Sequence, residues 1–168
     1  MGSLWENNFE KSDIKSPREI IQEQCEELAN ITKGKVTARI AEYDGTIYES
    51  DDNNKNFIKS SLFEKYTGFE LDLKNKLGEI SDTLTYEFFL TSKNTPKYKY
   101  RVFFLRHKII PYPVKILLEN SIAEELDFPN NLETIIICDN ENELLIILKK
   151  IFNSNKVRTV INTLLSLN

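Results

Sequence analysis

The order of the elements that the sequence predicts indicates an α+β domain rather than an α/β one. A helix comes first, most of the strands follow, and two helices end the chain, so helices and strands do not alternate throughout. A mainly antiparallel sheet of about five or six strands, packed by the N-terminal helix and the C-terminal helix pair, fits this order. The chain of 168 residues is long enough for one such domain with its own core, predicted over residues 16–168.

The first helix is predicted from a capping sequence. Residues 1–15 are mostly polar and are expected to form an N-terminal arm. Ser16-Pro17-Arg18-Glu19 then combines an N-cap serine, a proline in the first turn and a glutamate three residues after the cap. Apolar residues recur at helical spacing after it and Gly34 follows, so the helix is expected at roughly 17–32.

A hairpin is predicted directly after this helix. Residues 36–43 alternate, with Val36, Ala38 and Ile40 on one face. Asp44-Gly45 is a favoured two-residue turn, and residues 46–48 are expected to resume as a strand. Residues 57–78 hold scattered apolar side chains and two glycines, a pattern that fits a short strand, a one-turn helix or both.

A second hairpin is predicted at 84–91 and 98–106. Both segments are rich in aromatic residues, and the polar stretch 92–97 between them has the composition of a turn-containing loop. Regular alternation in the second strand assigns its side chains to two faces. Tyr98, Tyr100, Val102 and Phe104 are expected to pack inward, and Lys99, Arg101, Phe103 and Leu105 to lie on the opposite face.

The remaining elements are predicted from prolines, apolar runs and helical periodicity. Pro111 and Pro113 favour either an edge strand or a strand that begins after a kink, ending near Leu118. The other expected elements are a short helix at 121–126, a buried strand at 132–138, and capped amphipathic helices at 141–152 and 155–166.

Composition and charge narrow the functional classes. The formal net charge of −4 and the pI near 5.2 argue against a dedicated nucleic-acid binder, which is expected to be basic. The two cysteines lack CxxC spacing, so neither a metal site nor a disulfide framework is predicted. The sequence has neither the pattern of a signal peptide nor an apolar stretch of membrane-spanning length, and a cytoplasmic location is expected.

The most distinctive segment is basic. Between Glu87 and Glu119 the chain holds seven cations and no carboxylate, although the protein as a whole is acidic. Cations on a rigid aromatic hairpin favour a binding surface for an acidic protein or a phosphate-bearing ligand. The alternatives are a half-buried strand with solvated lysines and a stacking platform for single-stranded nucleic acid. The candidate binding residues are Lys97, Lys99, Arg101, Arg106 and Lys108.

An acidic run around the first hairpin is the alternative surface. No lysine or arginine lies between Arg39 and Lys55, and carboxylates in such a run could bind a divalent cation or mimic a phosphate backbone. Their spacing is not that of a calcium-binding loop, so a solvated hairpin tip is the simpler interpretation and no metal site is predicted. The residues of this run are Glu42, Asp44, Glu49, Asp51 and Asp52.

Signals for catalysis are sparse. Asp72-Leu73-Lys74 has the acid-x-lysine spacing of restriction-type nuclease cores, in which carboxylates hold a metal beside a lysine. A metal-dependent nuclease or phosphodiesterase that uses Asp72, Lys74 and the acidic run is therefore the rival to a binding function. His107, the one histidine, has only cations beside it in sequence, so ordinary packing in a strand is expected. An enzyme is disfavoured, and no cofactor is expected.

Three stretches together resemble a group of small bacterial proteins of uncharacterised function. The resemblance covers about a third of the chain, implies a bacterial single domain and brings no catalytic or binding residue. A small acidic domain with opposed charged patches favours a cytosolic module that binds another protein, as an immunity protein, antitoxin, inhibitor or accessory subunit does. The stretches are Ser16-Pro17-Arg18-Glu19-Ile20 with the helix after it, Tyr98-Lys99-Tyr100-Arg101-Val102 through Tyr112-Pro113-Val114, and Ile151-Phe152-Asn153-Ser154 through Leu165.

Overall fold

The predicted α+β class is confirmed. The computed structural model describes Leu4, Trp5, Glu10 and residues 14–45, 83–128 and 135–167. An N-terminal helix precedes an antiparallel sheet, and two helices end the chain. The helices are α1 (Pro17–Ile31), α2 (Asn120–Glu125), α3 (Glu141–Phe152) and α4 (Asn155–Ser166). The strands are β1 (Val36–Glu42), β2 (Thr83–Ser92), β3 (Tyr100–Lys108), β4 (Val114–Leu118) and β5 (Ile135–Cys138). The strand expected at 46–48 and the segment 57–78 lie outside the described residues.

Helix α1 begins as its capping sequence predicts. The Ser16 hydroxyl accepts a hydrogen bond from the Glu19 amide at 3.2 Å, and the Glu19 carboxylate accepts one from the Ser16 amide at 2.9 Å. These two bonds satisfy amide groups that the first turn of a helix leaves without intrahelical partners. The helix ends where Lys33 and Gly34 adopt φ angles of 52° and 73°. The Gly34 amide then donates to the Ala29 carbonyl at 2.8 Å, which closes the helix in a Schellman-type turn.

The sheet keeps the order of the chain. Its five described strands are arranged β1-β2-β3-β4-β5, and every neighbouring pair is antiparallel. Strand β4 lies between β3 and β5, so the edge-strand alternative for the segment ending at Leu118 is wrong, and the strand begins after Pro113 instead.

Strand β5 lies at an edge of the described sheet, not in its interior. The prediction of a buried strand at 132–138 is therefore wrong for its described part, in which Cys138 is buried but Ile137 is 57% exposed. A continuous apolar run places apolar side chains on both faces of a strand, but it does not show that both faces of the sheet are covered. Cys138 lies opposite the buried Val114, whereas Ile137 lies opposite Lys115 on the other side of the sheet. Residues 132–134 lie outside the described part.

One side of the sheet carries the core. The register places Ile40 opposite Phe88, Phe88 opposite Phe103, and Leu105 opposite Ile116, and all of these side chains are buried. The helices cover this side. Phe152 of α3, for example, has its ring centroid 5.3 Å from that of Phe88.

A β-bulge interrupts the alternation of β3. Phe88 pairs with Phe103, but the next residue of β2, Phe89, pairs with Arg101, so Val102 is an extra residue on β3. Val102 and Phe103 are both fully buried on the helix side as a result. The predicted faces therefore hold from Lys99 to Val102 and are wrong beyond it: Phe103 and Leu105 face the helices, and Phe104 lies on the opposite side. The prediction is also wrong for Tyr98, which precedes β3 and is 45% exposed instead of packed inward.

The C-terminal helices are held by side-chain caps. The Asn140 side chain accepts from the Glu143 amide at 3.0 Å, and the Ser154 hydroxyl accepts from the Val157 amide at 3.3 Å. Glu125 of α2 also accepts from the Lys156 amide at 2.9 Å, so the start of α4 is tied to α2. None of the described helices combines the length and the apolar character that crossing a membrane would require.

Candidate functional site: the basic face of the sheet

The side of the sheet away from the helices concentrates positive charge. Alternation along β1, β3 and β4 places five cations there, and Lys99, just before β3, contacts Glu87 and Phe89 on the same side. Glu87 is the single carboxylate among the residues of that side in the five described strands. We call this side the basic face. Its cations are Arg39, Lys99, Arg101, Arg106, Lys108 and Lys115.

The bulge is what brings these cations together. Lys99 and Arg101 have odd numbers, whereas Arg106 and Lys108 have even numbers, so an unbroken strand would place the two pairs on opposite sides. Because Val102 adds one residue to the strand, both pairs lie on the basic face.

A buried carboxylate lies at the centre of the basic face. The Glu87 side chain is 8% exposed and forms ion pairs with Lys99 and Arg101. Its Oε1 contacts the Lys99 ammonium, while Oε2 accepts from Arg101 Nε at 3.1 Å and lies 3.1 Å from Arg101 Nη2. The two cations are themselves 40% and 43% exposed. The cluster therefore has an inner carboxylate and two cations that reach solvent, with a formal sum of one positive charge.

Aromatic rings support both cations. The Lys99 ammonium lies 4.3 Å from the centroid of the Phe89 ring. The Arg101 guanidinium lies 4.6 Å from the Phe104 ring and 5.5 Å from the Tyr43 ring. Such contacts contribute about 0.5–1 kcal/mol each at exposed sites, so they fix the direction of the side chains more than they stabilise the fold. Each of these rings has a cation over it.

The other predicted basic residues have different surroundings. Arg106 is buried, at 6% exposure, and its Nε donates to the Thr85 hydroxyl at 3.3 Å. Lys108 is exposed at the end of β3, and Lys97 is exposed in the loop before β3 rather than on a strand. The structure thus joins Lys99 and Arg101 in one cluster, and it places Lys97 and Lys108 outside that cluster.

Sequence reasoning missed Glu87 and Arg39. Glu87 precedes its partners by 12 and 14 residues, and only the register of the β2–β3 hairpin brings them together. Alternation in β2 was a usable signal, since Thr85, Glu87 and Phe89 fall on the same side of the strand. Arg39 required knowing that β1 pairs with β2.

The acidic alternative is described only in part. Glu42 and Asp44 are exposed, whereas Glu49, Asp51 and Asp52 lie outside the described residues, as do Asp72 and Lys74. Across 14–45, 83–128 and 135–167, no three His, Cys, Asp or Glu side chains group together as metal ligands would.

Three buried titratable groups on the helix side are held in neutral forms. Burial lowers the pKa of His107, outweighing the opposing effect of the Lys108 carbonyl, which lies 2.6 Å from the Nδ1 atom. Burial also raises the pKa of the thiols of Cys25 and Cys138 to about 11, so both remain protonated at neutral pH. These three groups carry no charge at neutral pH, whereas the basic face carries six cations and the Glu87 carboxylate.

No family model, curated protein or solved structure matches this chain.

Proposed function

We propose that this protein is a binding module that recognises an acidic partner protein through the basic face of its sheet. The observation that carries the proposal is the charge of that face, six cations and one carboxylate on one side of a domain whose formal net charge is −4. A bacterial cytosolic setting, with the role of an immunity protein, antitoxin, inhibitor or accessory subunit, belongs to the same proposal.

The physical basis is electrostatic complementarity. A patch of one sign on a rigid sheet raises the encounter rate with an oppositely charged surface and rejects surfaces of like charge. Exposed charges are screened over about 8 Å at physiological ionic strength, so the interaction should weaken as salt is added. Arg39, Lys99, Arg101 and Lys108 are exposed and are the residues that a partner would meet first.

The arrangement of the rings favours a protein partner over single-stranded nucleic acid. Modules that bind single strands offer open aromatic faces on which bases stack. Here Phe89 lies beneath Lys99, and Phe104 and Tyr43 lie beneath Arg101. A base would have to displace a cation that is also paired with Glu87 before it could stack.

Charge reversal at two cations of the basic face and at Lys97, in the loop before β3, tests the proposal. The triple variant Lys97→Glu, Lys99→Glu and Arg101→Glu should bind a glutamate-rich synthetic peptide at least about tenfold more weakly than the wild type in low-salt calorimetry. Because it leaves the buried Glu87 without its two cations, the comparison is made on protein whose circular dichroism spectrum matches that of the wild type. The matched control reverses three exposed lysines on the helix side by the substitutions Lys149→Glu, Lys150→Glu and Lys156→Glu.

The control changes the net charge by the same amount, so it separates the basic face from total charge. Equal losses in the two triple variants would contradict a localised surface. If the wild-type protein does not bind the peptide, or binds an oligothymidylate more tightly than the peptide, the proposal that the partner is an acidic protein is contradicted.

A further inference from the structure

We propose that Glu87 is a positioning residue, which holds Lys99 and Arg101 as a preformed receptor for side-chain carboxylates of an acidic polypeptide. The inference rests on the proposed function and names the chemical group that the basic face recognises. Glu87 itself does not touch the ligand, because its side chain is only 8% exposed beneath the two cations.

The contacts of Glu87 leave donors on both cations. The Arg101 Nε and Nη2 atoms both lie 3.1 Å from the same carboxylate oxygen, so the Nη1 group is not engaged by Glu87. A guanidinium carries five N–H donors and an ammonium three. Arg101 and Lys99 therefore keep donors beyond those that Glu87 uses, on side chains that are 43% and 40% exposed.

Two constraints fix each cation before a ligand arrives. Lys99 is tied to one oxygen of Glu87 and rests on Phe89, whereas Arg101 is tied to the other oxygen and rests on Phe104. Lysine and arginine side chains lose much rotational freedom when they bind, so ordering them beforehand increases affinity. A carboxylate placed against the outer donors would complete an alternating set of two cations and two anions.

Charge attraction and the positioning of the cations predict opposite changes in peptide affinity when Glu87 loses its charge. Neutralising Glu87 makes the basic face more positive, so simple attraction predicts tighter binding of an acidic peptide. If Glu87 positions the cations, the same change frees Lys99 and Arg101 and weakens binding. Glu87→Gln separates the two effects because glutamine keeps the shape of the side chain while removing its charge.

The experiment measures binding of the glutamate-rich peptide to wild type, Glu87→Gln and the control Glu124→Gln. Glu124 is an exposed carboxylate on α2, on the helix side of the molecule, and its substitution changes the net charge by the same amount. We expect Glu87→Gln to bind about three- to tenfold more weakly and Glu124→Gln to bind as the wild type does. Order at Arg101 provides a second readout, because the ¹⁵N relaxation of its Nε should show increased mobility in Glu87→Gln.

A Glu87→Gln variant that binds the peptide as tightly as the wild type, or more tightly, would overturn the inference and leave the proposed function standing. A wild type that does not bind would overturn both. If Glu87→Gln does not fold, Phe104→Leu takes its place, since it removes the ring beneath Arg101 without changing any charge. Unchanged affinity in a folded Phe104→Leu variant would likewise contradict a preformed receptor.

Discussion

The two sides of the sheet are made from the same strands but differ in character, since one side forms the core and the other carries charged side chains. In β2, Tyr86, Phe88 and Leu90 point to the helices and are buried, whereas Glu87 and Phe89 belong to the basic face. The helix side removes apolar surface from water, at roughly 25 cal/mol per Å². The basic face instead carries charged side chains. Because neighbouring residues of a strand point in opposite directions, each side can be changed with little effect on the other.

Polar groups are treated differently on the two sides. The helix side buries His107 in its neutral form, since burial lowers its pKa. The basic face buries a carboxylate, Glu87, but places two cations against it. A buried charge is tolerated when it is paired and hydrogen-bonded, whereas an unpaired one is costly. The comparison therefore predicts that substitutions on the helix side change stability and that substitutions on the basic face change binding.

Two leucines provide the largest test of this contrast. Leu105→Ala removes a fully buried side chain from the helix side and should lower the free energy of unfolding by about 2–5 kcal/mol. Leu117→Ala makes the same chemical change at a half-buried position on the basic face and should lower it by less than about 2 kcal/mol. Urea denaturation of both variants gives the two values. Equal losses would mean that the basic face is packed as tightly as the core.

The pH dependence of stability tests the neutral histidine. The pKa of His107 is lowered by burial in the folded protein, so as the pH falls the unfolded chain takes up a proton first, near its ordinary pKa of about 6.5. The free energy of unfolding should therefore decrease below about pH 6.5, by up to about 1.4 kcal/mol per pH unit, and level off below the folded-state pKa.

The variant His107→Gln isolates this effect, because the sequence holds one histidine and the carboxylates are common to both proteins. The difference in stability between wild type and variant should change between pH 6.5 and pH 5. A constant difference over that range would show that His107 titrates alike in the folded and unfolded chains.

The smallest expected effect on stability comes from the basic face itself. Lys99→Ala should change the free energy of unfolding by less than about 1 kcal/mol, because its ammonium is partly exposed and Glu87 keeps Arg101 as a partner. Thermal unfolding measured by circular dichroism is sufficient to detect this. A loss as large as that of Leu105→Ala would show that the ion cluster holds the fold together and would remove the contrast between the sides.

Most of the fold could be predicted because its signals are local. Ser16 with Glu19 and the cap at Ser154 specify where helices begin, and the alternation of 36–43 specifies a strand. The positions of β4 and β5 in the sheet could not be predicted in this way, because strand order depends on pairing between distant segments. Ile137 is exposed because it lies in an edge strand of the described sheet and on the basic face, opposite Lys115, and neither fact can be obtained from its local sequence.

Only part of the candidate site could be predicted from the sequence. Lys99 and Arg101 stood out by charge, but their shared partner Glu87 becomes visible only when the register of the hairpin is known. The side on which Phe104 lies could not be obtained from regular alternation, because one extra residue reverses the phase of the strand. Such a shift is decided by packing on both sides of the sheet.

That extra residue also bears on how related chains would vary in length. Side chains alternate between the two sides of the sheet both before and after Val102, but the bulge shifts this alternation by one residue. Removing one residue at this point would restore regular alternation along β3. A relative one residue shorter here would keep Arg101 and Arg106 on one side and Leu105 on the other. It would lose the burial of Val102 and the hydrogen bond that the Val102 carbonyl accepts from the Glu119 amide at 2.9 Å. A gap of one residue at this point should thus lower stability but keep the residues of both sides in place, whereas a gap within β2 would separate Glu87 from its cations.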